Sequence, residues 1–186
     1  MQQKREMMRI IAGKYKRRLI FWPEDISIRP TKDRIREAIF AILNDIEGKT
    51  FLDLYAGSGS IGLEAISRGA KKVYFVDKGV PAIKCINENV KALNIVEDYE
   101  ILKMEDADAL NKFIKEDIKF DIIFLDPPYK EGKYEEIIHF ILDNNLLNTY
   151  GIIIAESDRK LLLNHPLIIK NKEYKYGDII VTFLGV

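Results

Sequence analysis

Asp126-Pro127-Pro128-Tyr129 follows the largely apolar run 121–125 and puts a carboxylate, a stiff backbone and an aromatic face at one strand end. Two successive prolines fix φ and remove two N–H donors, so the carbonyls of Asp126 and Pro127 stay outward-facing acceptors instead of entering a ladder or a helix. Acceptors beside an aromatic ring suit a flat ring that carries an amino group. The lone pair of an exocyclic nucleobase amine is delocalised into the ring, and holding both of its hydrogens on acceptors favours a tetrahedral nitrogen that attacks an electrophile. Tyr129 would stack on a base lifted out of its helix. Taken alone, the four residues are equally a proline-rich turn with an edge tyrosine.

A second chemical signal lies in residues 51–62, Phe-Leu-Asp-Leu-Tyr-Ala-Gly-Ser-Gly-Ser-Ile-Gly, a strand running into a glycine turn and then a helix. Gly57 and Gly59 let the backbone approach a ligand, and Gly62 lets the helix pack close to the strand. Asp77 closes the next strand twenty residues after Gly57, where a carboxylate can take both hydroxyls of a ribose. A glycine fingerprint also serves nicotinamide cofactors. Asp53 tips the balance, because a carboxylate beneath the turn would repel a pyrophosphate yet suits the ammonium of a methionine moiety, making S-adenosylmethionine the better ligand. Asp106, beyond the third strand, is placed to accept from an adenine amino group, with Glu105 and Asp108 as neighbouring alternatives; Asp108 also reads as a helix cap.

Regular alternation positions these groups. The spacing predicts strands over 50–54, 72–77, 99–103, 121–125 and 151–156, with helices near 61–68, 80–94, 108–115 and 134–144. Such alternation predicts a doubly wound α/β, Rossmann-like sheet of seven strands, mostly parallel, with both motifs opening onto one crevice at the carboxyl ends of the strands. Residues 167–176 and 179–184 are strand-like and separated only by Gly177-Asp178, too short a link for a parallel crossover, so an antiparallel hairpin closes the sheet. Ahead of this core, residues 9–22 read as two short strands around Gly13-Lys14, with basic residues at the turn and second strand. An amphipathic helix then runs from Thr31 to about Asn44. The organisation expected is one domain, 1–186, with a basic hairpin-and-helix extension over 1–44 and a catalytic core over 45–186.

Composition narrows the classes. The formal net charge is zero, yet residues 1–36 hold eleven Lys and Arg against four acids, a local +7 that the remaining 150 residues balance. A basic arm on an acidic body suggests contact with a polyanion. Trp22, Tyr15 and Phe21 are available there for base stacking, although Phe21 reads better as packing. Cys85 is the single cysteine and only His139 and His165 are present, so neither a disulfide framework nor a Cys/His zinc site can be assembled, and no metal is expected. The N-terminus lacks an apolar leader core and nowhere do 18 uncharged apolar residues run together, so the chain is expected in the cytoplasm, away from membranes, as a monomer.

Four segments together carry a family resemblance: 29–40 (Arg-Pro-Thr-Lys-Asp-Arg-Ile-Arg-Glu-Ala-Ile-Phe), 53–65, Asp126-Pro127-Pro128-Tyr129 and Tyr176-Gly177-Asp178. From about Arg9 to the C-terminus the chain resembles the RsmD-type 16S rRNA guanine-N2 methyltransferases. The resemblance implies a class I enzyme that moves the methyl of S-adenosylmethionine to the exocyclic N2 of one guanine, at position 966, in 16S rRNA of the small ribosomal subunit or a late assembly intermediate. It implies that Asp126 and the Pro127 carbonyl hold N2, with Pro128 stiffening the turn and Tyr129 stacking on guanine. For the cofactor it implies Asp53, Tyr55, Ala56, Gly57, Ser58 and Gly59 around the methionine part, Asp77 and Lys78 at the ribose, and Glu105, Asp106 and Ala107 near adenine. Thr31 and Arg34 are added to the cofactor set, and Lys14, Lys16, Arg17, Arg18, Arg29 and Arg36 form the candidate RNA-binding set. The chain departs mildly from the family at Tyr55, where Phe is frequent, and at Ser60-Ile61, where Ala-Leu is common. Asp-Pro-Pro-Tyr also admits DNA adenine-N6 and cytosine-N4 enzymes, and the fold admits an NAD-dependent oxidoreductase or a non-catalytic ribosome-binding module.

Overall fold

Strands β3 (Thr50–Leu54), β4 (Lys72–Asp77) and β6 (Phe120–Leu125) are apolar along most of their length because both of their faces are covered. The computed structural model describes residues 7–23, 33–128 and 133–186. Helices α2 (Ser60–Ser67), α3 (Val80–Leu93), α4 (Asp106–Lys115) and α5 (Tyr134–Asp143) alternate with these strands, with β5 (Asp98–Lys103) and with β7 (Leu147–Ser157). The chain ends in the antiparallel pair β8 (Lys170–Tyr176) and β9 (Ile179–Gly185). Ahead of the core lie β1 (Met7–Arg9), β2 (Leu19–Phe21) and α1 (Asp33–Leu43).

The seven-stranded sheet has the order β5-β4-β3-β6-β7-β9-β8, parallel through β7, with β9 antiparallel between β7 and β8. The expected mixed α/β sheet is therefore observed, along with a separate two-stranded hairpin. Side-chain alternation divides the core by face. Phe51, Phe75, Ile122 and Phe124 pack with Ile10, Ile20, Ile39 and Phe40 of the N-terminal segment. Leu52, Leu54, Ile123 and Leu125 pack instead with α4 and α5. The strand order reverses between β3 and β6, and ligands bind at such switch points in open α/β sheets.

The hairpin differs from expectation. Its strands lie farther apart, and residues 10–18 form a docked loop in place of a tight turn at Gly13-Lys14. Gly13, at φ 80°, explains the docking: a Cβ there would lie 1.8 Å from the Ser67 carbonyl oxygen, so only glycine admits this approach. Lys14 N then donates to that carbonyl at 2.7 Å, and Tyr15 N to Ser67 Oγ at 2.9 Å. Glu64, fully buried in α2, accepts from Ile11 N at 2.8 Å and Ala12 N at 3.0 Å. The basic residues consequently sit on the loop, not on the second strand.

Two further boundaries moved. Helix α4 begins at Asp106 with Glu105 as its cap position, so Asp108 is a first-turn residue, not the cap. Strand β7 begins at Leu147, ahead of the predicted Gly151, and its register against β6 shifts between Phe120 and Ile122.

Candidate active site

Parallel register builds the site. Asp53 on β3 pairs with Phe124 on β6, and Leu125 pairs with Ala155 on β7, so Asp126, just past the end of β6, comes beside Glu156 in the last residues of β7. Asp53 and Glu156 are only 1% and 2% exposed. Burial raises the Asp126 carboxyl well above the usual range, with the Glu156 and Asp53 charges adding to it. Burial likewise pushes Asp53 up to about 7, opposed by the Gly62 N–H and reinforced by Asp77. Gly62 N donates to Asp53 Oδ2 at 2.9 Å, which ties the carboxylate to the first turn of α2. That turn lies against β4, since a Cβ on Gly62 would stand 2.2 Å from the Phe75 ring.

An open pocket sits above these acids. Its wall is the glycine turn from Tyr55 to Ser58 with Ser60 and Ile61 of α2; Asp53, Phe124 and Asp126 form the sheet side, and Trp22 closes it from the N-terminal segment. No Lys or Arg is among the described lining residues, so the pocket is acidic and suits a cation. Sequence reasoning offered Trp22 to RNA; the structure brings it to this pocket, 7% exposed. Asn89 holds it there by fastening the preceding residue, accepting from Phe21 N at 2.6 Å and donating to Phe21 O and to Ser58 O, each at 3.0 Å.

The remaining predicted ligand contacts line the rim. Asp77 Oδ2 accepts from Gly57 N at 2.9 Å and Oδ1 from Gly79 N at 2.7 Å, which leaves each oxygen a second lone pair for a ribose hydroxyl. Tyr55, at φ 86°, donates its hydroxyl to Asp106 Oδ2 at 2.6 Å and so joins the glycine turn to the start of α4. Phenylalanine could not make that bond. Lys78 and Glu105 pair at 3.4 Å on the exposed rim, and Ala107 lies in the first turn of α4.

Pro127 is buried and Pro128 exposed. The Tyr134 hydroxyl donates to Glu156 O at 2.8 Å and stands 3.4 Å from Pro127 O; its single proton goes to the shorter bond, leaving the Pro127 carbonyl as an acceptor. Tyr134, 1% exposed, and Glu156 are contributors that sequence reasoning missed. Tyr134 stands among charged residues, Lys133 before it and Glu135 and Glu136 after it, and Glu156 ends an apolar run, so neither carries a local sign of burial at the site. Tyr129, Thr31 and Arg29 lie outside the described residues.

Two assignments are corrected. Arg36 is 0% exposed: it donates to Arg9 O and to Asp33, lies 3.9 Å from Glu64 and cannot reach an RNA. Burial lowers its pKa against the pull of Asp33 and Glu64. Tyr15, 6% exposed, packs in the core and donates to Glu97 at 2.6 Å, so it is no stacking platform. Although burial raises Glu97, bonds from Lys14 and Tyr15 bring it down to about 2. Lys16, Arg17, Arg18 and Arg34 are exposed, and Lys14 is half exposed beside Glu97. The loop carrying Lys14 to Arg18, however, docks beside Ser67, at the opposite end of α2 from the pocket, and Arg18 donates to Ala92 O at the end of α3.

Known proteins agree with this architecture. The family model described as "Conserved hypothetical protein 95" matches residues 8–185. The ribosomal RNA small subunit methyltransferase D of Haemophilus influenzae is 34% identical over 163 residues, covering 87% of this chain and 82% of that one. The protein of the same name in Escherichia coli is 31% identical over 152 residues, covering 81% and 75%. The solved structure of a hypothetical protein from Thermus thermophilus superposes with a TM-score of 0.82 at 26% identity, covering 96% of this chain and 99% of that one.

Proposed function

The chain belongs to the conserved hypothetical protein 95 family of RsmD-type methyltransferases, and on that premise we propose that it transfers a methyl group from S-adenosylmethionine to the exocyclic N2 of one guanine, position 966, in 16S rRNA. The observation that carries this reading is the cation-suited pocket at the switch point, with Asp126 beside it and buried Asp53 beneath the glycine turn.

Bound S-adenosylmethionine supplies an electrophilic methyl on a sulfonium. The protein's residues then have to hold, orient and exclude water. Asp53 would take the methionine ammonium, Asp77 the ribose, and Asp106, steadied by Tyr55, the adenine. Asp126 and the Pro127 carbonyl would accept the two hydrogens of N2 and draw its lone pair out of conjugation, while Tyr129 would stack on the guanine. Asp126, held protonatable by burial, can also receive the proton that N2 sheds. Lys16, Arg17 and Arg18 would meet RNA phosphates.

The test is to incubate the protein with labelled S-adenosylmethionine and, in parallel, unmodified small subunits, naked 16S rRNA and duplex DNA, then map the modified nucleoside. N2-methylguanosine at one rRNA position is expected. Label in DNA, or in no RNA, overturns the proposal.

Asp53 sets a pH dependence. Because the folded protein keeps a proton on Asp53 that the unfolded chain releases in the ordinary carboxylate range, unliganded stability declines as the pH rises toward about 7 and levels off above it. Cofactor binding has the opposite sign, since the ionised form attracts the ammonium. Affinity for S-adenosylmethionine should improve ~5-fold or more between pH ~6 and pH ~7.5. Titrations followed by Trp22, the single tryptophan, measure this, and Asp53→Asn should be weak and flat across the range. A wild-type affinity independent of pH would exclude the Asp53–ammonium pair.

A further inference from the structure

Trp22 is a large buried aromatic that core packing does not explain. It is 7% exposed, yet among the described residues it belongs to neither of the two apolar clusters that fill the faces of the sheet. It lines the pocket instead, where Asp53, Ser58, Ser60 and Asp126 bring polar side chains and Tyr55 and Phe124 bring two more rings. An indole set among carboxylates and hydroxyls forgoes much of the apolar contact that normally stabilises a buried tryptophan.

Several contacts fix the ring there. Ile20, fully buried in the core, and Trp22, two residues on, fall on the same side of an extended chain, while Leu19 is exposed. The residue between them is clamped from α3: Asn89 bonds both the N–H and the carbonyl of Phe21, and Cys85 Sγ donates to that same carbonyl at 3.3 Å. Buried Pro23 follows and stiffens the exit. Asn89, itself 0% exposed, also donates to Ser58 O, so one side chain ties the arm that carries Trp22 to the glycine turn that forms the facing wall. The indole is thus held ready before any ligand enters, which lowers the cost of binding one.

We propose that Trp22, with Tyr55 and Phe124, forms an aromatic cage for the sulfonium of S-adenosylmethionine, and that Trp22 lets the pocket tell this charged donor from the neutral thioether left after transfer. The proposal rests on the cofactor reading above and adds a selectivity to it. Aromatic faces attract soft cations, tryptophan most strongly, and the attraction grows where water is excluded. A sulfonium carries three carbon substituents and a weakly hydrated charge, which suits it to such a cage as it suits a quaternary ammonium. Asp53 does not discriminate, because the ammonium it would meet is present in donor and product alike. When the methyl leaves, the C–S electron pair stays on sulfur, the positive charge is lost, and the cage interaction goes with it. Spent cofactor is therefore released in favour of fresh donor.

Calorimetric titrations of the wild type, Trp22→Leu and Trp22→Phe test it with three ligands: S-adenosylmethionine, S-adenosylhomocysteine, and sinefungin, which carries an ammonium in place of the sulfonium. Trp22→Leu is expected to weaken both charged ligands by ~5-fold or more and S-adenosylhomocysteine by no more than ~2-fold, with Trp22→Phe in between. Equal losses on all three ligands, or no loss, overturn the proposal, since a ring that merely walls the pocket would not distinguish charge. A second measurement needs no variant and so stands even if the leucine substitution impairs folding. The methyl resonance of S-adenosylmethionine labelled with ¹³C at that carbon should move upfield on binding to the wild type, under the ring current of an aromatic face; a methyl that does not move upfield also overturns the proposal. A wild type that binds none of the three ligands overturns the cofactor reading and the cage together. One that binds them but places no methyl on guanine removes only the guanine-N2 assignment, and the same titrations still decide the role of Trp22.

Discussion

Asp126→Ala is expected to lower kcat by at least ~10²-fold while changing S-adenosylmethionine affinity by no more than a few fold. Alanine removes the acceptor that holds one N2 hydrogen, an interaction that matters most as nitrogen becomes tetrahedral, whereas the cofactor contacts through Asp53, Asp77 and the glycine turn remain. Asp126→Asn separates two roles. An amide oxygen still accepts a hydrogen bond but takes no proton at neutral pH, so a residual rate within ~10-fold of wild type would identify Asp126 as an acceptor, and a loss equal to that of alanine would identify it as a base. Neither variant should melt lower, because each relieves a carboxyl whose burial beside Glu156 and Asp53 disfavours its charge. Single-turnover rates, cofactor titrations and thermal melts check the three statements. Near-normal turnover of the alanine variant would remove Asp126 from the chemistry.

Glu64→Ala should destabilise the protein by about 3–5 kcal/mol, a fall of the order of 10 °C in Tm for a chain of this length. The carboxylate is fully buried, accepts from the backbone of Ile11 and Ala12, and accepts from Arg68 Nε at 2.7 Å. Its removal leaves Arg36 buried with Asp33 as its remaining acid, and strands two backbone donors of the docked loop. Local consequences precede global unfolding. Loosening of the hairpin reaches β2 and Trp22, so tryptophan emission should shift to the red below the main transition, and cofactor affinity should weaken with it. A Tm within ~2 °C of wild type would show that Arg68 and Arg36 do not depend on this acid.

Much of the core was legible because its signals are local. Residues 72–77 and 80–93 declare strand and helix by their own periodicity, and Gly57, Gly59 and Gly62 mark a turn whose backbone needs little from the rest of the chain. Helix α1 shows where that legibility stops. Arg36 lies one turn before Phe40 on the stripe it shares with Ile39, a placement that hints at burial, yet the acid opposite it is Glu64 on another element. Charge alone therefore assigned Arg36 to RNA, and packing reassigned it to the interior. Tyr15 followed the same course through Glu97.

Taken by itself, the sequence determined the order of strands and helices, the glycine turn, the Asp-Pro-Pro stop and a basic N-terminal segment, all written in neighbouring residues. Tertiary structure alone decided which charges meet. The Leu125–Ala155 register sets Asp126 beside Glu156, Asn89 fastens the strand that delivers Trp22 to the pocket, and the approach at Gly13 carries the basic loop to the far end of the sheet. The reason is physical: periodicity reports which face of an element is buried, but a charge's partner and the burial that shifts its pKa depend on the element packed against it, often fifty or more residues away.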